Sequence, residues 1–453
     1  MKLYNTLTRK LEDFKPINID EVRIYTCGPT VYSRSHIGNL AAYVYWDLLI
    51  RTMRLEGYKV KRVMNITDVG HLTSDGDTGE DKLEKGARLS GKTVWEVADH
   101  YTKLFLDDMK KINWVEPEMI IKATDCIDED LEIVKILIDK GLTYETEDGI
   151  YFDTSKFPKY ADFARLDIDN LQAGARVEFN SEKRNVSDFA IWKWVRPNED
   201  HAMKWRFLDR DGYPGWHLEC ATIIHVTLGQ PIDIHTGGID HIPVHHTNEI
   251  AEAEAAFDKP LANYWLHCNH VTSDGKKISK SLGNGYSLDD LEKKGYTGLD
   301  YKMWVLQGNY QAERNFSFDD LKAAAARLKN YKNWVVLRYQ MKAEDDSGLI
   351  ELKNRMMNHL TNNLNSAGAL AELDKAMNVL VPNDEFVEFL DEIFGLDFLK
   401  IQDIDDKTRE KIAARNAAKN NKNYDVADKI RDELAKDGIK LEDRADMILW
   451  QLL

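Results

Sequence analysis

The run Ile24-Tyr-Thr-Cys-Gly-Pro-Thr-Val-Tyr-Ser-Arg-Ser-His36-Ile-Gly-Asn39 constrains the fold of this chain more than any other stretch. Val22 to Thr26 is short, apolar and β-rich, which reads as a buried strand. Leu40, Val44, Leu48 and Met53 then recur at helical spacing up to Glu56, and Gly57 stands where a left-handed helix cap is wanted. Lys59-Val-Lys-Arg-Val63-Met-Asn-Ile66 reads as a second strand. Strand, helix and strand in that order predict a βαβ unit and a parallel sheet, hence an α/β fold. The turn before the helix leaves backbone N–H groups unpaired at the positive end of its dipole, a setting that favours phosphate. Gly38 lets a nucleotide lie against the backbone, and His36 and Asn39 supply donors for charge that builds on a phosphate chain. Taken alone, a His-x-Gly-Asn turn is also compatible with a surface histidine on a tight turn.

At 453 residues the chain should divide into roughly two to four domains. A hydrophobic content of 43% and a charged content of 30% describe a globular protein. The net charge of −16 argues against indiscriminate nucleic-acid binding, although a local basic face would serve a specific partner. Met1-Lys2-Leu3-Tyr4 opens no signal segment, and no run approaches the roughly 18 apolar residues of a membrane helix, so a cytoplasmic location is expected. Cys27, Cys126, Cys220 and Cys268 are too scattered to suggest a disulfide framework, and Cys126 is given no role.

Far downstream, Lys277-Ile278-Ser279-Lys280-Ser281 sits between Asp274-Gly275 and Gly283-Asn284. Turn formers on both sides predict a mobile surface loop, whose lysines can neutralise a leaving pyrophosphate. Between the two motifs, a helix over Asp128 to Lys140 and short strands at Gly149–Asp153 and Ala190–Trp194 suggest an inserted subdomain. Trp192 and Trp194 alternate with polar positions and read as half-buried strand residues.

The nucleotide fold resumes at Gly215-Trp-His-Leu-Glu-Cys220, a strand over Ile232 to Thr236, the turn Gly237-Gly238-Ile-Asp240, and a helix opening with His245-His-Thr-Asn-Glu249. His245 and Glu249 are four residues apart, on one helix face. Zinc accepts such a pair and two thiolates would complete a tetrahedral shell, with Cys27 and Cys220 the candidates. A helical ion pair and an inert core thiol account for the same residues more plainly. His241, His246, His267 and His270 leave other ligand sets open. From Phe318 to Leu399 the pattern is mostly helical, and Thr408 to Ala435 reads as a basic helical hairpin ended by Gly438.

Together, His36-Ile-Gly-Asn39 and Lys277-Ile-Ser-Lys-Ser281 resemble the two signature motifs of the class I aminoacyl-tRNA synthetases, with Asn39 replacing a second histidine and Ile278 a methionine. Thr26-Cys-Gly-Pro-Thr-Val-Tyr32, Asn65-Ile-Thr-Asp68, Gly215-Trp-His-Leu-Glu-Cys220, His245-His-Thr-Asn-Glu249 and Lys277-Ile-Ser-Lys-Ser-Leu-Gly-Asn284 resemble the cysteinyl branch of that family in order and spacing. Thr247, where the family commonly has glutamate, replaces neither proposed ligand.

The resemblance implies a Rossmann-like catalytic core in two halves, residues 1–124 and 215–275, around a connective subdomain, 125–214. A lysine loop and connector (276–317), a helical bundle (318–400) and an anticodon-binding module (401–453) would follow. The implied reaction is ATP-dependent activation of cysteine to cysteinyl-adenylate, then transfer to the 3′-terminal adenosine of tRNA-Cys. His36, Asn39, Lys277 and Lys280 would be catalytic, while Gly38, Gly238, Asp240 and Lys280 would hold ATP and its Mg2+. Cys27, Cys220, His245 and Glu249 would hold one Zn2+ per chain to recognise the substrate thiol. Thr67 and Trp216 would line the cysteine pocket, and Trp450 would stack on an anticodon base. The expected partners are tRNA-Cys, L-cysteine and ATP, with no membrane, for a monomeric enzyme. A paralogous ligase joining cysteine to an amino sugar would need no segment after Phe318. A non-catalytic tRNA-binding paralogue would not need His36, Lys280 or the zinc ligands.

Overall fold

The computed structural model describes residues 1–69, 81–166, 182–196, 201–278, 283–342, 345–444 and 447–453. They form two compact units, one of Met1–Asp290 with Tyr310–Asn315 and one of Leu291–Asn309 with Phe316–Leu453.

The first unit is built on a five-stranded sheet, in the order Ala262–Cys268, Ile232–Gly238, Val22–Thr26, Val60–Ile66, Met119–Lys122, and every neighbouring pair is parallel. Four of the strands are almost wholly buried, as expected where helices cover both faces, and the edge strand Met119–Lys122 is half-buried. The predicted helix runs Ile37–Leu55 and buries Tyr45 and Trp46 beside the expected Leu40, Val44, Leu48 and Met53. Gly57 ends it at φ +87°. After Val22–Thr26 the chain builds outward to one side through Val60–Ile66, and later strands are laid down on the other side. That reversal opens a crevice at the carboxyl ends of Val22–Thr26 and Ile232–Gly238, where open α/β sheets take their ligands.

Within the same unit lies an antiparallel sheet in the order Thr143–Thr146, Gly149–Phe152, Phe189–Trp194, Arg210–Pro214, Trp205–Phe207. Here the half-buried reading of Trp192 and Trp194 is corrected. Phe189–Trp194 is the central strand and all six of its residues are buried. Lys193, the residue that suggested a wet face, is inside because its Nζ meets Asp148 at 2.7 Å.

The second unit contains helices Phe318–Val335, Ser347–Leu360, Ser366–Ala376 and Asp384–Phe394, then the pair Asp406–Asn420 and Tyr424–Lys436. Gly438, at φ +83°, turns the chain into an unanticipated hairpin of Ile439–Asp443 with Ile448–Leu452. Trp450 lies on that hairpin at 4% exposure, packed with Leu434, Ile439 and Val336. Its backbone N–H donates to Gln340 Oε1 at 2.7 Å, and its carbonyl accepts from Gln340 Nε2 at 3.0 Å. The ring expected to stack on RNA is therefore part of this unit's own core. No helix among the described residues is long and apolar enough to cross a membrane.

Candidate functional site

His36 is the N-cap of helix Ile37–Leu55 and forms a reciprocal box with Asn39. The Asn39 N–H donates to His36 Nδ1 at 3.3 Å, and the His36 N–H donates to Asn39 Oδ1 at 3.2 Å. Both side chains are thereby oriented by the turn they were expected to serve, with Asn39 exposed at its mouth. Arg34, two residues earlier, ties this loop to Asp108 and Asp289, and Asp289 also receives Lys111 at 2.8 Å. Those ion pairs hold the turn in place and carry no sequence signal.

The lysine motif meets the same turn. Val271–Ser273 and Lys276–Lys277 form a small hairpin through Asp274 and Gly275, both with positive φ. Lys277 is exposed on it, and Ile278 is buried against Gly38, where a Cβ would come within 3.1 Å of Ile278 Cδ1 and 3.0 Å of the His36 ring. The absent side chain at Gly38 is what lets the two motifs touch. Asn284 Nδ2 donates to the Lys277 carbonyl at 3.2 Å, and the Ile37 N–H donates to the Tyr286 carbonyl at 2.8 Å. Lys280 lies outside the described residues.

A cleft of about 630 Å3 is lined by His36, Gly38, Asn39, Lys277, Gly238, Asp240, Trp216, His241 and Cys27, among others. That volume is in the range of small-molecule sites. A Cβ on Gly238 would come 2.4 Å from Asp240 Oδ1, so the bare backbone at Gly238 lets the Asp240 carboxylate lie against it. The Trp216 ring lies 4.6 Å from that of His245 and walls the inner end of the cleft. Thr67 is placed differently from expectation: it is 3% exposed and is not among the lining residues. Its hydroxyl donates to Glu219 Oε2 at 2.9 Å, which braces the helix Leu218–Thr227 that carries Cys220.

Cys27 ends the Val22–Thr26 strand, Cys220 lies on helix Leu218–Thr227, and His245 opens helix His245–Phe257. One ligand atom from each falls within 4.8 Å of the others. Glu249, one turn along from His245, has Oε1 2.7 Å from His235 Nε2. Its Oε2 is buried, has no hydrogen-bond partner, and lies 3.8 Å from His245 Nε2. Nitrogen and oxygen on one tetrahedral zinc are about 3.4 Å apart, so this orphaned oxygen stands near ligand range. Cys27, Cys220 and His245 fit zinc, while Glu249 falls in a separate group with His235 and His246.

Burial opposes ionisation of Cys27, but the hydrogen bond with Cys220 and the nearby His246, His235 and His241 outweigh it and hold the thiol well below its usual range. Cys220 is pushed well up by that same bond and by burial. Cys126 is pushed up to about 12, chiefly by burial, which suits an inert thiol. His235 and His217 belong to the cluster although their sequence context does not reveal it. His235 holds Glu249 and stacks on Trp265, with ring centroids 4.4 Å apart, while His217 Nδ1 lies 3.3 Å from His245 Nδ1. The only hint in the sequence is a histidine flanked by Ile234 and Thr236 in the strand Ile232–Gly238.

One cleft thus joins the start of helix Ile37–Leu55 to a lysine-bearing hairpin and reaches the Cys27–Cys220–His245 group through Cys27. Residues 13–326 match the family described as tRNA synthetases class I (C) catalytic domain. A cysteine–tRNA ligase of Treponema denticola is 39% identical, covering 100% of this chain and 100% of the relative. A cysteine–tRNA ligase of Burkholderia lata is 39% identical, covering 98% of this chain and 95% of the relative. Among solved structures, Mycobacterium tuberculosis methionyl-tRNA synthetase in complex with methionyl-adenylate matches with a TM-score of 0.59. It covers 88% of this chain and 84% of that one at 14% identity, a likeness of fold.

Proposed function

The chain belongs to the class I tRNA synthetases of the cysteine type, and from that premise we propose how its residues join cysteine to tRNA. The reaction has two steps. The cysteine carboxylate attacks the α-phosphorus of ATP, forming cysteinyl-adenylate and releasing pyrophosphate. A hydroxyl of the terminal adenosine of tRNA-Cys then attacks the activated carbonyl and displaces AMP. No enzyme nucleophile is needed, so positioning and charge stabilisation carry the rate.

ATP, accompanied by Mg2+, lies over Gly38 with its phosphates against the start of helix Ile37–Leu55, where His36 and Asn39 donate. Gly238 and Asp240 receive the ribose and adenine end. Lys277 and Lys280 neutralise the charge that accumulates on the departing pyrophosphate. Trp216 closes the cysteine pocket over His245. One zinc ion, held by Cys27, Cys220, His245 and Glu249, would supply a soft Lewis acid that accepts the substrate thiolate. Exposed Lys422, Lys429 and Arg431, rather than Trp450, present positive charge from the 401–453 module to tRNA-Cys. In this reading the chain works as a monomer in the cytoplasm.

The carrying observation is the convergence of Cys27, Cys220 and His245, of which Cys27 lines the same cleft as His36. A thiol binds such a centre and the serine hydroxyl binds it poorly, which allows discrimination on the order of 10⁴–10⁵ without editing. X-ray absorption on the zinc enzyme tests this: cysteine should raise the sulfur count by one and serine should not. An unchanged shell with cysteine bound would make the metal purely structural.

A further inference from the structure

The cluster at the inner end of the cleft offers more donors than one tetrahedral ion uses. Cys27, His241 and His246 also place one ligand atom each within 4.8 Å of one another, and this set shares only Cys27 with the Cys27–Cys220–His245 set. Cys27 Sγ lies 3.4 Å from His246 Nε2. Sulfur and nitrogen on one tetrahedral zinc are about 3.5 Å apart, given bonds of about 2.3 and 2.05 Å. The pair therefore already has the spacing that a shared ion requires.

His246 is also held from behind in the manner of a metal ligand. Its Nδ1 lies 2.7 Å from His267 Nε2, and His267 Nδ1 lies 2.8 Å from Thr6 Oγ1. Such a relay sets the ring plane and aims the remaining nitrogen, as outer partners do for ligating histidines. His241 Nδ1 is buried with no hydrogen-bond partner, although His241 lines the cleft. A buried polar atom left in that state calls for an ion or a water.

We propose that Cys27, His241 and His246 form a second seat for a soft divalent metal ion, reached from the cleft and bridged to the first ion by the Cys27 thiolate. This rests on the zinc reading of Cys27, Cys220, His245 and Glu249. The second seat has one shared thiolate against two at the first, and a neighbouring cation repels its ion, so it binds more weakly and exchanges. It also lies beside the position where the substrate thiol enters. Free zinc therefore inhibits cysteine activation, and the inhibition is competitive with cysteine.

The test is equilibrium dialysis of the full-length zinc enzyme against buffered free zinc, with metal per chain read by mass spectrometry. The wild-type chain should rise from one ion to two. His241→Ala, and the size-conserving His241→Asn, should weaken the second step by at least about tenfold, the usual cost of disturbing a metal shell, and retain the first. Saturating cysteine should displace the second ion. A wild-type curve that stops at one ion, or a second step untouched by both variants, overturns the second seat and leaves the first intact. A chain that takes up no tight zinc overturns the zinc reading itself.

Discussion

Asp130 sits on helix Ile127–Asp139 with 0% exposure, and neither carboxylate oxygen reaches a hydrogen-bond partner. Burial pushes its pKa up to about 8, against the pull of the nearby Thr222 hydroxyl and with help from Glu129. In an unfolded chain an aspartate titrates near 3.9. Between those values the folded chain keeps a proton that the unfolded chain has released. The stabilising contribution is complete below the unfolded value and is lost as pH rises through the folded one. The slope is about 1.4 kcal/mol per pH unit, or roughly 3 kcal/mol between pH 5 and pH 7. Asp130→Asn keeps the shape and removes the titration. Urea unfolding at several pH values, read by brief thiol labelling of the buried Cys126 on the preceding turn, measures both proteins locally. The advantage of the variant over the wild type should grow by about 3 kcal/mol from pH 5 to pH 7 and level off above pH 8. A difference that stays constant with pH would show that Asp130 is ionised in the folded chain and would refute the reasoning.

Two further outcomes bear on named residues. Lys280→Ala should lower the rate of adenylate formation and barely alter ATP affinity, because a transition-state contact is lost; a loss confined to ATP affinity would assign the lysine to ground-state binding. Trp450→Ala should destabilise the unit of Leu291–Asn309 and Phe316–Leu453 by about 3–5 kcal/mol through the cavity it leaves. Unchanged thermal unfolding with reduced tRNA charging would return the ring to an RNA-binding role.

Local patterns were legible wherever the chemistry is local. The strand Val22–Thr26, the helix after His36, the stop at Gly57 and the βαβ order follow from residue type and spacing, because each is set within a few turns of chain. The motifs around His36, Lys277 and Cys220 were legible for the same reason, since each packs its functional groups into a short run. Burial was harder to read. Lys193 in the strand Phe189–Trp194 suggested a wet face, yet its ion pair with Asp148 depends on a partner 45 residues away. Trp450 looked available for stacking until the hairpin folded it onto Val336, more than a hundred residues earlier in the chain.

The sequence alone determined the class of fold and the residue types suited to phosphate and a soft metal. Only the tertiary structure decided which of them meet. Placing Ile232–Gly238 beside Val22–Thr26 brings Cys27 to Cys220, His241 and His246, none of them within 190 positions of it in the chain. It also gives Glu249 to His235 and sets Thr67 behind the cleft with Glu219. The physical reason is that hydrophobic burial and strand pairing fix the distance between remote side chains, and the periodicity of any one segment carries no record of that distance.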